Sequence, residues 1–214
     1  MKKIVLVGAG GHALSVIDSI QSKGDYEIFG ITDLGNGVGE QVLGCEVIGN
    51  DAVLKSVFKR GVKYAFVTVG SIGNTSLRKK LIKQLKLIGF SLPSIIDASS
   101  NIGSDVLMGE GALIGKNTVV NAMSTVGDMA IINTGAIVEH GCYVGAFAHI
   151  GPGAVLCGDV KIGADTHVGA NATVIQGVNI GHDSMIGAGS IVIHDVPSKV
   201  IAFGNPCKVV RINE

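Results

Sequence analysis

Six histidines are the side chains of this 214-residue chain that are best suited to move protons near neutral pH. An imidazole with its ordinary pKa of about 6.5 can take a proton from an amine or a hydroxyl that attacks a carbonyl carbon. His140 lies in the segment Val138-Glu139-His140, and His149 follows nine residues later. The histidines are therefore candidates for a general base, and the fold must place such an imidazole on an accessible surface.

Glycines near the N-terminus indicate a phosphate-binding loop. Gly8, Gly10 and Ala13 match the G-x-G-x-x-G/A fingerprint, in which the backbone approaches a pyrophosphate and a helix N-terminus offers its amides. Asp33 follows Ala13 by twenty residues, where an acid that binds a ribose belongs. A tight turn between a strand and a helix explains the same loop without a ligand. The candidate substrate-binding residues here are Gly8, Gly10, Gly11, His12 and Asp33.

A second glycine segment, residues 70–74, follows another predicted strand and precedes another predicted helix. It adds backbone amides at the same edge of the sheet, and Arg78 lies one helical turn further on. A guanidinium is well suited to bind phosphate oxygens through two parallel hydrogen bonds. Gly70, Asn74 and Arg78 are therefore further candidates for binding the substrate.

Strands alternate with helices in the first 95 residues, which predicts a small parallel sheet covered on both faces. The predicted strands are 3–7, 26–32 and 64–69, and helices follow the glycine loop, the capping residue Asn50 and Thr75. The predicted inner residues of the first and last helices are Leu14, Val16, Ile17, Ile20, Leu77, Leu81, Ile82 and Leu85. The domain is too short for the second half of a dinucleotide fold, so a nucleotide sugar is favoured over NAD.

The second part of the chain repeats every six residues. Sixteen consecutive positions at this spacing, from Ile102 to Val192, are aliphatic, and the next residue is glycine in ten of them. A period of six predicts a short strand and a tight corner, three of which make a triangular coil of a parallel β-helix. Gly, Asn or Asp should accept positive φ at the corners. Successive coils should also place His167 about 5 Å from His149.

Composition argues against several other classes of protein. Seventeen basic and seventeen acidic residues give a net charge of zero, so no basic surface for nucleic acid is predicted. The longest segment without Asp, Glu, Lys or Arg, residues 140–158, contains two histidines, five glycines and a proline, so no membrane insertion is predicted. Four cysteines form no CxxC motif, which favours the cytoplasm. Cys142 is either a nucleophile beside His140 or, as its small-residue position favours, a core residue.

Four motifs together resemble the bacterial sugar acetyltransferases of the sialic acid O-acetyltransferase type, which are NeuD/PglD-like members of the hexapeptide-repeat acyltransferases. They are the loop GAGGHA, a GxxGN segment with a downstream Arg, the hexads NTGAIVEHGC and the terminal FGNPCK. The resemblance covers essentially the whole chain. It implies an α/β Rossmann-like domain that holds a sugar nucleotide, followed by a left-handed parallel β-helix. It also implies a homotrimer with acetyl-CoA in the groove between neighbouring β-helices.

The resemblance assigns roles to individual residues. His140 matches the general base of the family's V-E-H motif, so the implied catalytic residues are His140 and Glu139. His149 matches a histidine of the acetyl-CoA site, and Gly158 a glycine whose amide stabilises the oxyanion. Residues 203–208 would line the coenzyme groove, against the alternative of a solvated tail, and Asn133 joins the substrate-binding candidates. The implied coenzyme-binding residues are His149, Gly158, Ala170, Gly204, Asn205, Pro206 and Lys208.

One position departs from the family pattern. Family members commonly carry Asp or Glu directly after the histidine, where it can orient or polarise the imidazole, whereas this chain has Gly141. Glu139 precedes the histidine, but adjacent residues of an extended strand point to opposite faces. Asn133 and a backbone carbonyl are the candidate replacements for the orienting contact.

The resemblance implies three segments: a nucleotide-sugar domain over 1–95, an acetyltransferase β-helix over 96–196 and a tail over 197–214. The implied reaction is direct, acetyl-CoA-dependent N-acetylation of a UDP-4-amino-4,6-dideoxy sugar for polysaccharide biosynthesis, with O-acetylation of sialic acid or another sugar as the alternative. Two other classes are a metal hydratase like the γ-type carbonic anhydrases and a non-catalytic nucleotide-sugar binder. The intervals between histidines lack the pair five residues apart that the hydratase needs, so no metal is expected.

Overall fold

The computed structural model describes residues 1–213 and divides them into two compact units. The first unit comprises residues 1–71 and 75–98, and the second comprises residues 72–74 together with the chain from Ser99 onward. No helix in the described part of the chain is long and apolar enough to cross a membrane.

The first unit alternates strands and helices along the chain. Its elements are β1 (Lys2–Val7), α1 (Gly11–Lys23), β2 (Tyr26–Thr32), β3 (Gln41–Val42), β4 (Cys45–Gly49), a 3-10 turn (Asp51–Val53), α2 (Leu54–Lys59), β5 (Tyr64–Val67), α3 (Ser76–Ile88) and β6 (Ile95–Ile96). The side chain of Asn50 accepts a hydrogen bond from the amide of Ala52 at 3.0 Å, so the predicted cap is present.

The main sheet of this unit has the order β3-β4-β2-β1-β5, in which β3 is antiparallel and the other pairs are parallel. The predicted α/β class is therefore confirmed. Two predicted inner residues are wrong, because Leu14 is 46% exposed and Leu77 is 53% exposed. Ala13 and Arg78 are buried instead, and with the other predicted residues they complete an i, i+3, i+4, i+7 set on each helix.

The second unit contains sixteen two-residue strands, and each ends at one of the predicted aliphatic positions. They are β7 (Asn101–Ile102), β8 (Leu107–Met108), β9 (Leu113–Ile114), β10 (Val119–Val120), β11 (Thr125–Val126), β12 (Ile131–Ile132), β13 (Ile137–Val138), β14 (Tyr143–Val144), β15 (His149–Ile150), β16 (Val155–Leu156), β17 (Lys161–Ile162), β18 (His167–Val168), β19 (Thr173–Val174), β20 (Asn179–Ile180), β21 (Met185–Ile186) and β22 (Ile191–Val192).

Each strand pairs in parallel with the strand 18 residues away, as in the pairing of Val138 with Leu156. This register builds three faces: the first contains β7, β10, β13, β16, β19 and β22, the second β8, β11, β14, β17 and β20, and the third β9, β12, β15, β18 and β21. Fourteen of the sixteen aliphatic residues are buried, and the exceptions, Ile102 and Met108, belong to the first coil. The predicted left-handed parallel β-helix is confirmed.

The corners of the coil lie three residues after each aliphatic position, where fifteen residues have φ between 53° and 72°. Most are Gly, Asn or Asp, as predicted, but Met123, Met129 and Phe147 adopt the same conformation. The glycines directly after the aliphatic residues have another cause. A Cβ at Gly103 or Gly145 would lie 2.6 or 2.5 Å from a backbone nitrogen of the next coil, so close stacking of the coils requires glycine there.

A hairpin follows the last coil and consists of β23 (Val200–Gly204) and β24 (Cys207–Ile212). β23 pairs in parallel with β21, so the hairpin extends the third face.

Candidate active site

His140 stands at the corner that joins β13 to β14, between the first and second faces of the β-helix. Val138 anchors this corner in the core, and Gly141, with φ of 68°, turns the chain. The His140 side chain is exposed, and its imidazole has no hydrogen-bond partner among residues 1–213. Both ring nitrogens can therefore interact with a ligand.

Gly158 lies one coil from His140, and the imidazole packs against it. A Cβ at position 158 would lie 2.5 Å from Cε1 and 2.7 Å from Nε2 of His140. The backbone itself does not need glycine here, because alanine stands at the same hexad position elsewhere: Ala122, Ala146, Ala164 and Ala170. The Gly158 amide donates no hydrogen bond within the described chain. Glycine at this position thus makes room for the imidazole and leaves a backbone donor next to it.

Two carboxylates lie close to this corner, and neither is bonded to the imidazole. Glu139 accepts a hydrogen bond at its Oε2 from Nδ2 of Asn121, at 2.9 Å. The carboxylate of Asp159 occupies the space that a Cβ at Gly141 would need. The Asp159 amide also donates to the carbonyl of His140 at 2.9 Å, which fixes the two corners against each other.

Within one chain, Asn133 contacts His149 and not His140. Its Nδ2 lies 3.1 Å from Nε2 of His149, and its Oδ1 accepts a hydrogen bond from the amide of Thr134 at 2.8 Å. Because the Thr134 amide donates to the Asn133 side-chain oxygen, the Asn133 side-chain nitrogen faces His149. Nε2 of His149 therefore accepts the hydrogen bond, and the ring proton sits on Nδ1. His149 is 8% exposed. Its Nε2 lone pair is already engaged, which leaves it unsuited to act as a base there.

His167 stacks on His149, as the 18-residue spacing predicts. The ring centroids are 4.8 Å apart and the rings meet edge to face at 77°. Burial, and to a smaller extent the neighbouring His149 ring, lower the pKa of His167 to about 4. His167 is therefore neutral at pH 7. Elsewhere on the β-helix, His182 contacts Asp183 at 2.7 Å and His194 is exposed.

One chain does not bring His140 and His149 together. His140 stands at the corner between the first and second faces, whereas His149 is the outward residue of β15 on the third face. In a triangular coil that corner lies opposite the third face. Ala170 follows β18 and lies on the His149 side. The predicted base and most of the predicted coenzyme-binding residues thus belong to different sides of the prism.

The coenzyme-binding candidates of the C-terminus lie in and beside the turn of the β23–β24 hairpin. Gly204, Asn205, Pro206 and Lys208 are all exposed. The amide of Gly204 donates to Oγ of Ser190 at 3.2 Å, which ties the turn to the last coil. These residues belong to an ordered hairpin and not to a solvated tail.

Cys142 is a core residue and not a nucleophile. Its side chain is 1% exposed, and its thiol donates to the carbonyl of Cys157 at 3.1 Å. Burial raises the pKa of this thiol to about 11, so it is protonated at pH 7. Among residues 1–213, no group of three or more His, Cys, Asp or Glu side chains is arranged to hold a metal ion.

The glycine loop of the first unit lies between β1 and α1. Gly8 has φ of 108°, and a Cβ there would lie 2.7 Å from Cγ2 of Val69, so the fold itself requires this glycine. Gly10 caps α1 with an ordinary φ of −74°, and neither Gly10 nor Gly11 has another atom within 4 Å of an added Cβ. The first turn of α1 has no acidic side chain. Glycine at positions 10 and 11 therefore keeps the first amides of α1 open to an anionic ligand.

Asp33 holds the glycine loop in place. Its Oδ2 accepts from the amide of Ala9 at 2.8 Å, and its Oδ1 accepts from Gly35 and Asn36 at 2.8 and 2.9 Å. Partial burial disfavours the charged carboxylate, but these three hydrogen bonds outweigh burial and lower its pKa. The predicted ribose contact of Asp33 would add to this structural role.

The remaining substrate-binding candidates divide between the two units. His12 packs beside Gly70, with 3.5 Å between its Cβ and the position of a Cβ at Gly70. Arg78 is 3% exposed in the first turn of α3, and its guanidinium lies 3.5 Å from Oγ of Ser71. Asn74 belongs to the second unit instead, where the adjacent Gly73 packs against Met185.

Sequence analysis missed three residues of these contacts, Asn121, Thr134 and Asp159. Asn121 precedes Glu139 by one 18-residue coil, and Asp159 follows Gly141 by one coil, so the repeat itself contained the signal. Thr134 contributes only its backbone amide, which the residue type does not reveal.

Family models match both parts of the chain. Residues 3–85 match the PglD N-terminal domain, and residues 147–176 match the bacterial transferase hexapeptide (six repeats). Among curated protein sequences, none matches this chain.

Solved structures match over nearly the whole length. A histidine-to-asparagine variant of the perosamine N-acetyltransferase from Caulobacter crescentus, in complex with CoA and GDP-perosamine, is 38% identical. The match covers 98% of this chain and 97% of that one, with a TM-score of 0.92. The acetyltransferase domain of PglB from Neisseria gonorrhoeae, in complex with acetyl coenzyme A, is 32% identical over 98% of this chain and 99% of that one, with a TM-score of 0.88.

Proposed function

Because this chain belongs to the NeuD/PglD-like sugar acetyltransferases of the hexapeptide-repeat superfamily, we propose that it transfers the acetyl group of acetyl-CoA to the amino group of a nucleotide-linked sugar. The observation that carries the proposal is the full-length match, at 38% identity, to an N-acetyltransferase that binds CoA and a nucleotide amino sugar. The exposed imidazole of His140 provides the base that such a reaction needs.

In the proposed reaction the neutral amine of the sugar attacks the thioester carbonyl of acetyl-CoA. The new C–N bond leaves a positively charged nitrogen, and His140 takes one proton from it. The C–S bond then breaks, and the CoA sulfur leaves and receives the proton from the imidazolium. No acyl-enzyme forms, because the Cys142 thiol is buried and protonated.

The proposed oxyanion donor is the amide of Gly158. It donates no hydrogen bond within the described chain and belongs to the residue against which the His140 ring packs. A donor that is fixed by the backbone needs no reorganisation when negative charge develops on the carbonyl oxygen. Base and donor would then come from adjacent coils of one corner.

The amino sugar is carried by a nucleoside diphosphate, for which the first unit offers the amides of α1. The similar perosamine enzyme binds a GDP-linked sugar, whereas the family resemblance of the sequence implies a UDP-linked one. We propose GDP as the nucleotide, since that match covers both chains almost completely.

The test of this function is a thiol-release assay with acetyl-CoA and a panel of acceptors. The panel contains GDP-perosamine, a UDP-4-amino-4,6-dideoxy sugar and sialic acid. Release of CoA only with amino sugars supports N-acetylation, and the faster of the two identifies the nucleotide. Release with sialic acid alone would establish the O-acetyltransferase alternative. Nucleotide-sugar binding without any CoA release would instead indicate a non-catalytic binder.

Replacement of Gly10 by valine is expected to weaken binding of the nucleotide sugar by about tenfold or more, because charged hydrogen bonds to the α1 amides would be blocked. The protein should still fold, since an added Cβ at position 10 meets no other atom within 4 Å. Isothermal calorimetry with the nucleoside diphosphate measures the affinity. Ser15→Val, at an exposed position of the same helix, is the matched control. Equal affinity of the two variants would contradict a ligand at this loop.

We also propose that the active site lies between two chains of a homotrimer. His140 and His149 lie on opposite sides of one β-helix, so a site that uses both must take them from different protomers. Two inactive variants, His140→Ala and His149→Ala, are then expected to regain activity when they are unfolded, mixed and refolded together. Mixed trimers would contain some sites with both native histidines. Failure of the mixture to exceed either variant alone, with trimers seen by sedimentation, would contradict a shared site.

With acetyl-CoA and a nucleotide sugar as substrates, we place the enzyme in the cytoplasm and its product in polysaccharide biosynthesis. All four cysteines are unpaired, which fits a reducing compartment.

A further inference from the structure

We propose that Asp159 is a positioning residue for His140: its carboxylate, which comes from the next coil, stabilises the imidazolium that forms when His140 takes the proton. The inference rests on the proposed role of His140 as the base. The residue directly after His140 is Gly141, which carries no charge. In this proposal Asp159, on the next coil, supplies the negative charge instead.

The geometry of the corner carries this inference. The Asp159 carboxylate lies over Gly141, in the space that the first side-chain carbon of any other residue 141 would occupy. The backbone holds it there, because the Asp159 amide donates to the His140 carbonyl at 2.9 Å and the residue has φ of 61°. An acid at position 159 and an acid at position 141 would thus put a carboxylate into the same part of the corner.

Glu139 also carries a negative charge near His140, but its carboxylate is engaged by Asn121, at 2.9 Å. The equivalent positions on the coils before and after His140 are Ala122 and Gly158, which are uncharged. The nearby thiol of Cys142 is neutral, because its pKa is raised to about 11.

The Asp159 carboxylate also acts on the Cys142 thiol of the same corner. Burial is the main reason for the raised pKa of this thiol, and the negative charges of Asp159 and Glu139 contribute in the same direction. A negative charge that disfavours a nearby thiolate favours a nearby cation. Asp159 makes no ion pair with His140 within 4 Å, so the effect acts through space and is moderate.

The charge matters only while the proton is in transit. His140 is neutral before the amine attacks, becomes cationic when it takes the amine proton, and is neutral again once the sulfur of CoA has received it. Asp159 exchanges no proton in this sequence of steps. A charge that favours only the cationic state lowers the barrier without changing how tightly the substrates bind.

The test is Asp159→Asn, which keeps the shape of the side chain and suits a corner with positive φ. The expected result is a three- to tenfold fall in kcat, by an order-of-magnitude estimate for charges several ångströms apart near a surface. The KM values for both substrates should stay unchanged. The low-pH limb of the kcat profile should move to lower pH, because loss of a nearby negative charge disfavours the protonated imidazole.

Asp105→Asn is the matched control. Asp105 stands at the same corner with φ of 56°, three coils from Asp159, and is also exposed. It should leave both kcat and the pH profile unchanged. A second variant, Gly141→Asp combined with Asp159→Gly, returns the carboxylate from the other side of the contact and should recover most of the lost kcat.

The inference is overturned if Asp159→Asn folds normally and keeps the wild-type low-pH limb of the kcat profile. It is also overturned if the double variant Gly141→Asp/Asp159→Gly is as slow as Asp159→Gly alone. Either result would leave the proposed function intact, provided that His140→Ala is inactive. Wild-type turnover in His140→Ala would instead remove the base itself, so the two failures are distinguishable.

Discussion

Replacement of His140 by alanine is expected to lower kcat for acetyl transfer by about a hundredfold or more, which is the usual contribution of a general base. The reason is that the exposed imidazole of His140 packs beside the Gly158 amide, which donates no hydrogen bond within the described chain. His149 and His167 cannot replace it, because Nε2 of His149 already accepts a hydrogen bond and His167 is buried and neutral.

The measurement is steady-state CoA release, together with calorimetry for the nucleotide sugar. Affinity for the nucleotide should change little, since most of the predicted substrate contacts, including the glycine loop and Asp33, lie in the first unit. His194→Ala is the matched control, because His194 is exposed and stands at the same hexad position three coils away. Near-normal turnover of His140→Ala, or an equal loss in His194→Ala, would remove His140 from the mechanism.

The β-helix could be predicted almost completely from the sequence. Each strand contains only two residues, so its position is determined once the inward residue is known, and sixteen inward residues follow one spacing without interruption. The same spacing predicts which outward side chains meet, and the stack of His149 on His167 confirms it. The contact between Asp159 and Gly141 follows from the same 18-residue spacing between neighbouring coils.

The first unit was less predictable at the first turn of its helices, because residue type and helical spacing disagree there. Leu14 and Leu77 are apolar but exposed, whereas Ala13 and Arg78 hold the buried positions of the i, i+3, i+4, i+7 set. Arg78 is buried beside the loop that contains Ser71, a partner that its residue type does not reveal.

Hydrogen-bond networks were beyond sequence reasoning for a different reason. Asn133 was a candidate to orient His140, yet it bonds His149, because the amide of Thr134 fixes the Asn133 side chain toward the third face. Asp33 likewise binds three backbone amides of its own unit before any ribose. Backbone donors leave no trace in the residue types, so these partners appear only in the structure.

The second large effect is expected from Gly158→Ala, which should lower kcat by about a hundredfold while the protein folds normally. The added methyl group would lie 2.5 Å from the His140 ring, so the imidazole must move away by about an ångström, and misplacement of that size costs about this much. The fold should tolerate the change, because alanine occupies the equivalent position in four other hexads, such as Ala164. Thermal unfolding and CoA release measure the two effects separately.

A double-mutant cycle with His140→Ala tests why Gly158→Ala is slow. If the methyl group acts by displacing the imidazole, it has nothing to displace once His140 is alanine, so Gly158→Ala should then cost little further activity. If the same loss appears in both backgrounds, the methyl group instead disturbs the Gly158 amide or the approach of the thioester, and the packing argument is wrong. Because the two residues touch, strong non-additivity is the result that the geometry requires.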